Sequence, residues 1–147
     1  MATTPASPPL PHAALPSTRS LPDAAQAAAQ LHRPLVVMTT LKGCPYCDVV
    51  RGHYLLPMQR SGQIQAIQLD MTDRATPIKG FDGRPTTAAA LVKAWQAKLA
   101  PTVLFLGPKG EELAERLVGM AVPDMYGSYL DRRLDEARQH LAVSLRL

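Results

Sequence analysis

Two cysteines, Cys44 and Cys47, are the only ones in the 147 residues, and they stand three positions apart. A bridge across so short a loop constrains little of the unfolded chain, so it cannot replace a hydrophobic core in holding a fold together. The flanking sequence places the pair. Leu35–Thr40 is an apolar, β-branched run between Pro34 and the Leu41–Lys42–Gly43 turn, which predicts a buried strand. Pro45 is the residue type favoured at the first position of a helix, and Cys47, Val50 and Tyr54 recur at helical spacing after it. The cysteines therefore sit where a buried strand turns into a helix.

The remaining chain repeats this alternation. Asp23 is expected to cap a short helix over residues 24–32, with His32 placing a favourable charge on its C-terminus. Pro57 is expected to end the helix that begins at the cysteines. Ile67, Leu69 and Met71, alternating with Gln68 and Asp70, predict a second strand; residues 72–85 are polar and punctuated by Gly and Pro, with a turn at Asp82–Gly83. Thr86 is expected to cap a helix over 87–99 that faces inward through Leu91, Trp95 and Leu99. Strands over 101–106 and Glu112–Val118, joined through Gly107 and Gly110, predict an antiparallel hairpin, and a last helix starts near Pro123–Asp124. The order α-β-α-β-α-β-β-α, without an internal repeat, is an α/β pattern.

Residues 1–22 contain six of the 14 prolines and a single charge, Arg19, and read as an unpacked arm or linker ahead of one domain over 23–147. The arm lacks the basic and apolar regions of a secretory leader. Met1 then either opens a cytoplasmic protein or stands on a mature form whose leader or anchor has been removed; the second, a periplasmic protein, is the expectation. No stretch approaches the roughly 18 to 20 apolar residues that a membrane-spanning helix needs. A net charge of +4 without basic clusters, and 5% aromatic residues, give no groove or stacking platform for nucleic acid. Nothing resembles a heptad, which favours a monomer.

Two residues three apart in the first turn of a helix have Cα atoms about 5 to 6 Å apart, close enough for a disulfide to open and close without backbone movement. Unpaired N–H groups and the positive end of the helix dipole converge on the first cysteine and favour its thiolate. Cys44 is thus the expected nucleophile, and Cys47, one turn inside, the expected resolving thiol. Lys42 either adds positive potential or is a solvated loop lysine, and Tyr46 either meets substrate or is simply exposed. The same spacing could supply half of a zinc site, but His12, His32, His53 and His140 include no pair spaced to complete one. Copper, helped by some of the six methionines, is a further option. No metal or cofactor is expected.

The chain resembles the thioredoxin superfamily over roughly residues 35–141. The resemblance rests on Cys44–Pro45–Tyr46–Cys47 after a strand and on Ala100–Pro101–Thr102 opening the third strand, where the family carries a cis-proline. It implies a thioredoxin fold, with a central mixed sheet of about four strands flanked by helices, and a thiol:disulfide oxidoreductase using Cys44 and Cys47. Pro45, Tyr46, Ala100, Pro101 and Lys42 would tune the pair or touch substrate. Phe81–Asp82–Gly83, Thr86, Gly110–Glu111–Glu112 and Gly119 look like the periplasmic thioredoxin-like proteins of the SoxW type. That resemblance implies a reductase of protein disulfides, recharged by a membrane electron donor of the CcdA type. The chain departs from typical thioredoxin in Gly43 before the first cysteine, in the Pro45–Tyr46 dipeptide, and in Met38 where a buried Asp is usual. Pro–Tyr is also the glutaredoxin dipeptide, so a glutathione-dependent reductase is an alternative, although the chain past Gly119 has no Gly–Gly–Asp-like nest for a glutathione carboxylate. A copper- or partner-binding module and an inert scaffold are the non-enzymatic readings.

Overall fold

Leu35–Thr40 forms β1, and all six of its residues are buried because it is a central strand of the sheet. The computed structural model describes residues 13–146 of the chain. Its elements are α1 (Leu21–Gln30), β1, α2 (Pro45–Val49), a π-helical segment (Val50–Leu55), α3 (Leu56–Arg60), β2 (Gln65–Asp70), β3 (Ile78–Lys79), β4 (Pro85–Thr86), α4 (Ala88–Ala94), β5 (Thr102–Leu106), β6 (Glu112–Val118), a 3-10 turn (Pro123–Met125) and α5 (Tyr126–Arg146). The four-stranded sheet runs β2-β1-β5-β6. β1 lies parallel to β2 and antiparallel to β5, and β5 and β6 form the expected antiparallel hairpin. This is the thioredoxin fold.

Alternation along the strands divides the core between two faces. Val36 and Met38 of β1 and Val103 and Phe105 of β5 pack with Cys47, Val50, Leu130 and Leu134 on one face. Leu35, Val37, Leu104 and Leu106 pack with Leu21, Ala25, Ala28 and Leu91 on the other. α2 and α5 therefore share one side of the sheet, and α1 and α4 the other.

The structure moves several expected boundaries. Residues 1–12 of the expected arm lie outside the described residues, but from Ala13 onward the chain belongs to the fold. Leu15 is buried in the core, its N–H donates to Gln68 Oε1 at 2.9 Å, and the Pro16 carbonyl accepts the Gln68 N–H at 3.0 Å. Proline content suggested an unpacked stretch to residue 22, yet proline keeps its carbonyl as an acceptor, and Leu15 and Leu21 provide apolar anchors. Ser20, not Asp23, caps α1, its hydroxyl accepting the Asp23 N–H at 3.2 Å, and Pro22 stands in the first turn.

Pro57 does not end the helix that begins at the cysteines. Over the π-helical segment the hydrogen bonds reach five residues back, as from the Leu56 N–H to the Arg51 carbonyl. Pro57 thus falls in the first turn of α3, where a missing N–H is tolerated. Thr87 replaces Thr86 as the cap of α4, accepting the Ala90 N–H. That helix stops at Ala94, so Leu99 is not on its inner face and is 58% exposed. The irregular 72–85 stretch holds β3 and, together with Thr86, the short β3–β4 pairing, turned at Gly83 with φ +82°. No helix among the described residues is long and apolar enough to cross a membrane.

Candidate active site

The site begins where β1 runs out. Leu41 and Lys42 lead to Gly43, which has φ +70°, a left-handed conformation that glycine adopts without the Cβ penalty. Cys44 follows in extended backbone as the N-cap of α2, with Pro45 in the first turn. Its sulfur takes the place of the usual capping oxygen and accepts the Cys47 N–H at 3.2 Å. Cys47 is fully buried, while Cys44 is partly exposed, and the two are joined as a disulfide with Cα atoms 5.2 Å apart. The buried side of the pair is apolar: Cys47 shares its cluster with Met38, Val50, Ala66, Val103 and Phe105.

The start of β5 forms the opposite wall. The Ala100 carbonyl oxygen lies 3.8 Å from Cys44 Sγ, and the Ala100–Pro101 peptide bond is cis. Two buried threonines fix this turn from below. Thr39 Oγ1 accepts the Thr102 N–H at 2.9 Å, and Thr102 Oγ1 donates to the Leu99 carbonyl at 2.5 Å. From the far side the Gly119 N–H donates to the Pro101 carbonyl at 2.8 Å, which holds the β6–α5 loop beside the turn. Cys44, Cys47, Pro45, Ala100 and Pro101 are therefore brought to one place in the structure. Tyr46 is 55% exposed on the rim. Lys42 is exposed and lines a groove of about 370 Å³ with Gly43, Asp48, Arg51 and Asp70.

Sequence reasoning missed Thr39 and Thr102 as supports of this wall; the available signal was two hydroxyls inside otherwise apolar buried runs. It also missed Arg51, which follows directly on α2, the redox helix that carries Cys47. Tyr126, read only as an apolar helix position, lies in the cluster that holds Cys47 and carries a buried hydroxyl without a hydrogen-bond partner among the described residues. Burial first, and neighbouring Tyr54 second, push its phenol well above the ordinary range; the two rings are 5.3 Å apart. Neither His32 nor His140 joins the site: His32 is exposed past the end of α1 at φ +57°, and His140 Nδ1 meets the Leu113 carbonyl at 2.5 Å. His12 lies outside the described residues. Among the described residues no three His, Cys, Asp or Glu side chains gather as metal ligands.

The arrangement suits dithiol–disulfide exchange. A sulfur at a helix N-terminus is stabilised as a thiolate by the donor and the dipole aimed at it, and it is the accessible one of the two. The second sulfur is buried within bonding reach of the first, so it can displace whatever the first has attacked.

Residues 21–133 match the family model described as a thioredoxin-like domain. No curated protein matches the chain. Among solved structures, a poplar thioredoxin h is similar at 14% identity and a TM-score of 0.52, covering 79% of this chain and 96% of its own. Thioredoxin from Fasciola hepatica is similar at 14% identity and a TM-score of 0.52, covering 80% and 97%. Oxidised thioredoxin O2 from Arabidopsis thaliana is similar at 14% identity and a TM-score of 0.51, covering 80% and 95%. Likeness at this identity concerns the fold.

Proposed function

Since the chain belongs to the thioredoxin-like domain family and carries the Cys44–Cys47 disulfide of a thiol:disulfide oxidoreductase, we propose that it reduces protein disulfides in a bacterial periplasm. The observation that carries the mechanism is the asymmetry of the pair: a partly exposed Cys44 whose sulfur accepts the Cys47 N–H, and a Cys47 that is fully buried. In the reduced protein the Cys44 thiolate attacks one sulfur of a substrate disulfide, and the other substrate sulfur leaves and takes a proton. Cys47, losing its proton, then attacks Cys44 Sγ, the mixed disulfide breaks, and the substrate departs as a dithiol. The Cys44–Cys47 disulfide that remains has gained the oxidising equivalent, and two electrons from a donor must reopen it. A membrane dithiol donor of the CcdA type is the partner proposed for that step, because the periplasm holds disulfides oxidised.

The proposed substrate surface is the apolar rim beside Ala100. Tyr46, Leu99, Val118 and Val122 are 55%, 58%, 52% and 46% exposed. Val118 stands between two cavities, one of about 370 Å³ shared with Leu99 and one of about 270 Å³ shared with Val122. An extended, apolar segment of a protein carrying a disulfide fits such a surface. The periplasmic assignment and the SoxW-type subgroup rest on the resemblance in Phe81–Asp82–Gly83, Gly110–Glu111–Glu112 and Gly119.

The test is turnover of insulin disulfides by single-cysteine variants. Cys44→Ser should abolish reduction, and Cys47→Ser should accumulate a mixed disulfide on Cys44. Full reduction by Cys44→Ser would overturn the proposal.

A further inference from the structure

Arg51 is a guanidinium whose side chain is only 11% exposed, one turn past Cys47 at the start of the π-helical segment. Each of its three nitrogens has its own partner. Nη2 donates to Thr40 Oγ1 at 2.7 Å, Nε to Gln68 Oε1 at 3.1 Å, and Nη1 to Asp48 Oδ1 at 3.0 Å. Gln68 Oε1 also accepts the Leu15 N–H. One cation thus ties the redox helix to the end of β1, to β2 and to the N-terminal segment, directly behind the turn that delivers Cys44. A fork of this geometry is specific to arginine.

The Asp48 contact bears on the chemistry. Asp48 is one turn along from Cys44, its N–H donating to the Cys44 carbonyl at 3.2 Å, and its side chain is 63% exposed. A carboxylate in the first turn suits the helix dipole, but it opposes a second negative charge on the sulfur that caps the same turn. The structure holds this carboxylate against the Arg51 guanidinium. We propose that Arg51 is a positioning residue of the redox site, which offsets the Asp48 charge and so sets the pH range over which Cys44 attacks. This rests on Cys44 being the attacking thiol. Lys42 in the turn and Asp70 at the end of β2 are charged groups of the groove that Gly43, Asp48 and Arg51 also line, and Lys98 precedes Ala100 by two residues in the chain; the Ala100 carbonyl, 3.8 Å from Cys44 Sγ, adds no formal charge.

The test is the alkylation rate of Cys44 against pH, in a Cys47→Ser background where Cys44 is the single thiol. Arg51→Met should move the profile to higher pH and slow alkylation below its midpoint by about three- to fivefold, the scale of a partly screened charge. Asp48→Asn should move it the other way by a similar factor, and the double variant should return close to the parent. Arg51→Lys keeps the charge and should keep the profile, while lowering the melting temperature through loss of the fork. An Arg51→Met profile that coincides with the parent despite a lower melting temperature would make Arg51 a structural clamp only. A double variant as slow as Arg51→Met would also overturn the proposal. Should Arg51→Met not fold, Asp48→Asn decides alone, and an unchanged rate overturns it. A parent Cys44 that alkylates no faster than a free peptide thiol would instead overturn the reading of Cys44 as nucleophile, which separates the two failures.

Discussion

Tyr126 is 3% exposed and its hydroxyl has no partner among the described residues, so the folded state carries the desolvation of a phenol without a compensating hydrogen bond. Tyr126→Phe should therefore leave stability at pH 8 unchanged or raise it, by up to about 1 kcal/mol. The raised phenol also has a pH signature. The unfolded chain releases this proton near pH 10, and the folded chain only above that. The contribution of this group is thus fully present below about pH 10 and is lost as the pH rises beyond it, a loss that Tyr126→Phe should reduce. Urea unfolding at pH 8 and pH 10.5 checks both; a loss above about 1 kcal/mol at pH 8 would contradict the unpaired hydroxyl. Asp73 gives the opposite limb. Its Oδ1 accepts the Thr76 and Ala75 N–H groups, both at 2.9 Å, and those bonds, Thr76 first, hold its carboxyl below the ordinary 3.8. Its contribution is present above that pH and is lost as the pH falls through the lower folded value, so Asp73→Asn should flatten the acid decline below about pH 4. Residue types on their own pointed to Cys44 and Cys47 as a redox pair, because the two are close in sequence and share one turn. They did not reveal Arg51 or Thr39, whose partners Gln68 and Thr102 lie 17 and 63 residues away.

Helix ends show how much of each element the sequence carried. α1, α3 and α4 finish with the same pair of backbone bonds around a left-handed residue, which is His32, Gly62 and Gln96 in turn. After α4 the Gln96 N–H reaches the Lys93 carbonyl at 3.0 Å and the Ala97 N–H reaches the Val92 carbonyl at 3.0 Å. Only Gly62 is the residue type that announces such an end, which is why α4 was expected to run on to Leu99. A non-glycine residue here pays for its Cβ, so Gln96→Gly should stabilise the protein by about 0.5 to 1 kcal/mol, measured by urea unfolding. An unchanged or lower midpoint would count against the strained end. The bounds of β1 and β6 were legible because turn residues bracket both runs. The π-helical segment was not, since its wider turn leaves no mark in a period of 3.6 and a proline reads as a stop.

Across the whole molecule the largest difference from the sequence reading lies in residues 13–20, which continue the fold along β2. Leu15 fills the face of the core that carries Cys47, and the Arg19 carbonyl accepts the Lys79 N–H at 2.8 Å. Leu15→Ala should cost about 2 to 4 kcal/mol, as for other buried leucines, against less than about 0.5 kcal/mol for the exposed Leu145→Ala. Equal effects would place Leu15 outside the core. The order of the four strands of the main sheet and of the helices between them was readable from local periodicity, but this segment is held by contacts to β2 and β3 that no local pattern contains. What the assembled fold delivers is one accessible sulfur at a helix N-terminus with a buried sulfur behind it, and reversible redox chemistry at that pair is the claim on which the function stands. Equilibration in graded dithiol redox buffers, followed by alkylation of free thiols, measures it directly. The expected result is a reversible two-electron transition near roughly −270 mV, the potential of a protein that donates electrons. A transition near about −120 to −180 mV would contradict the reductive direction, and a pair still oxidised below about −300 mV would contradict a working redox couple altogether.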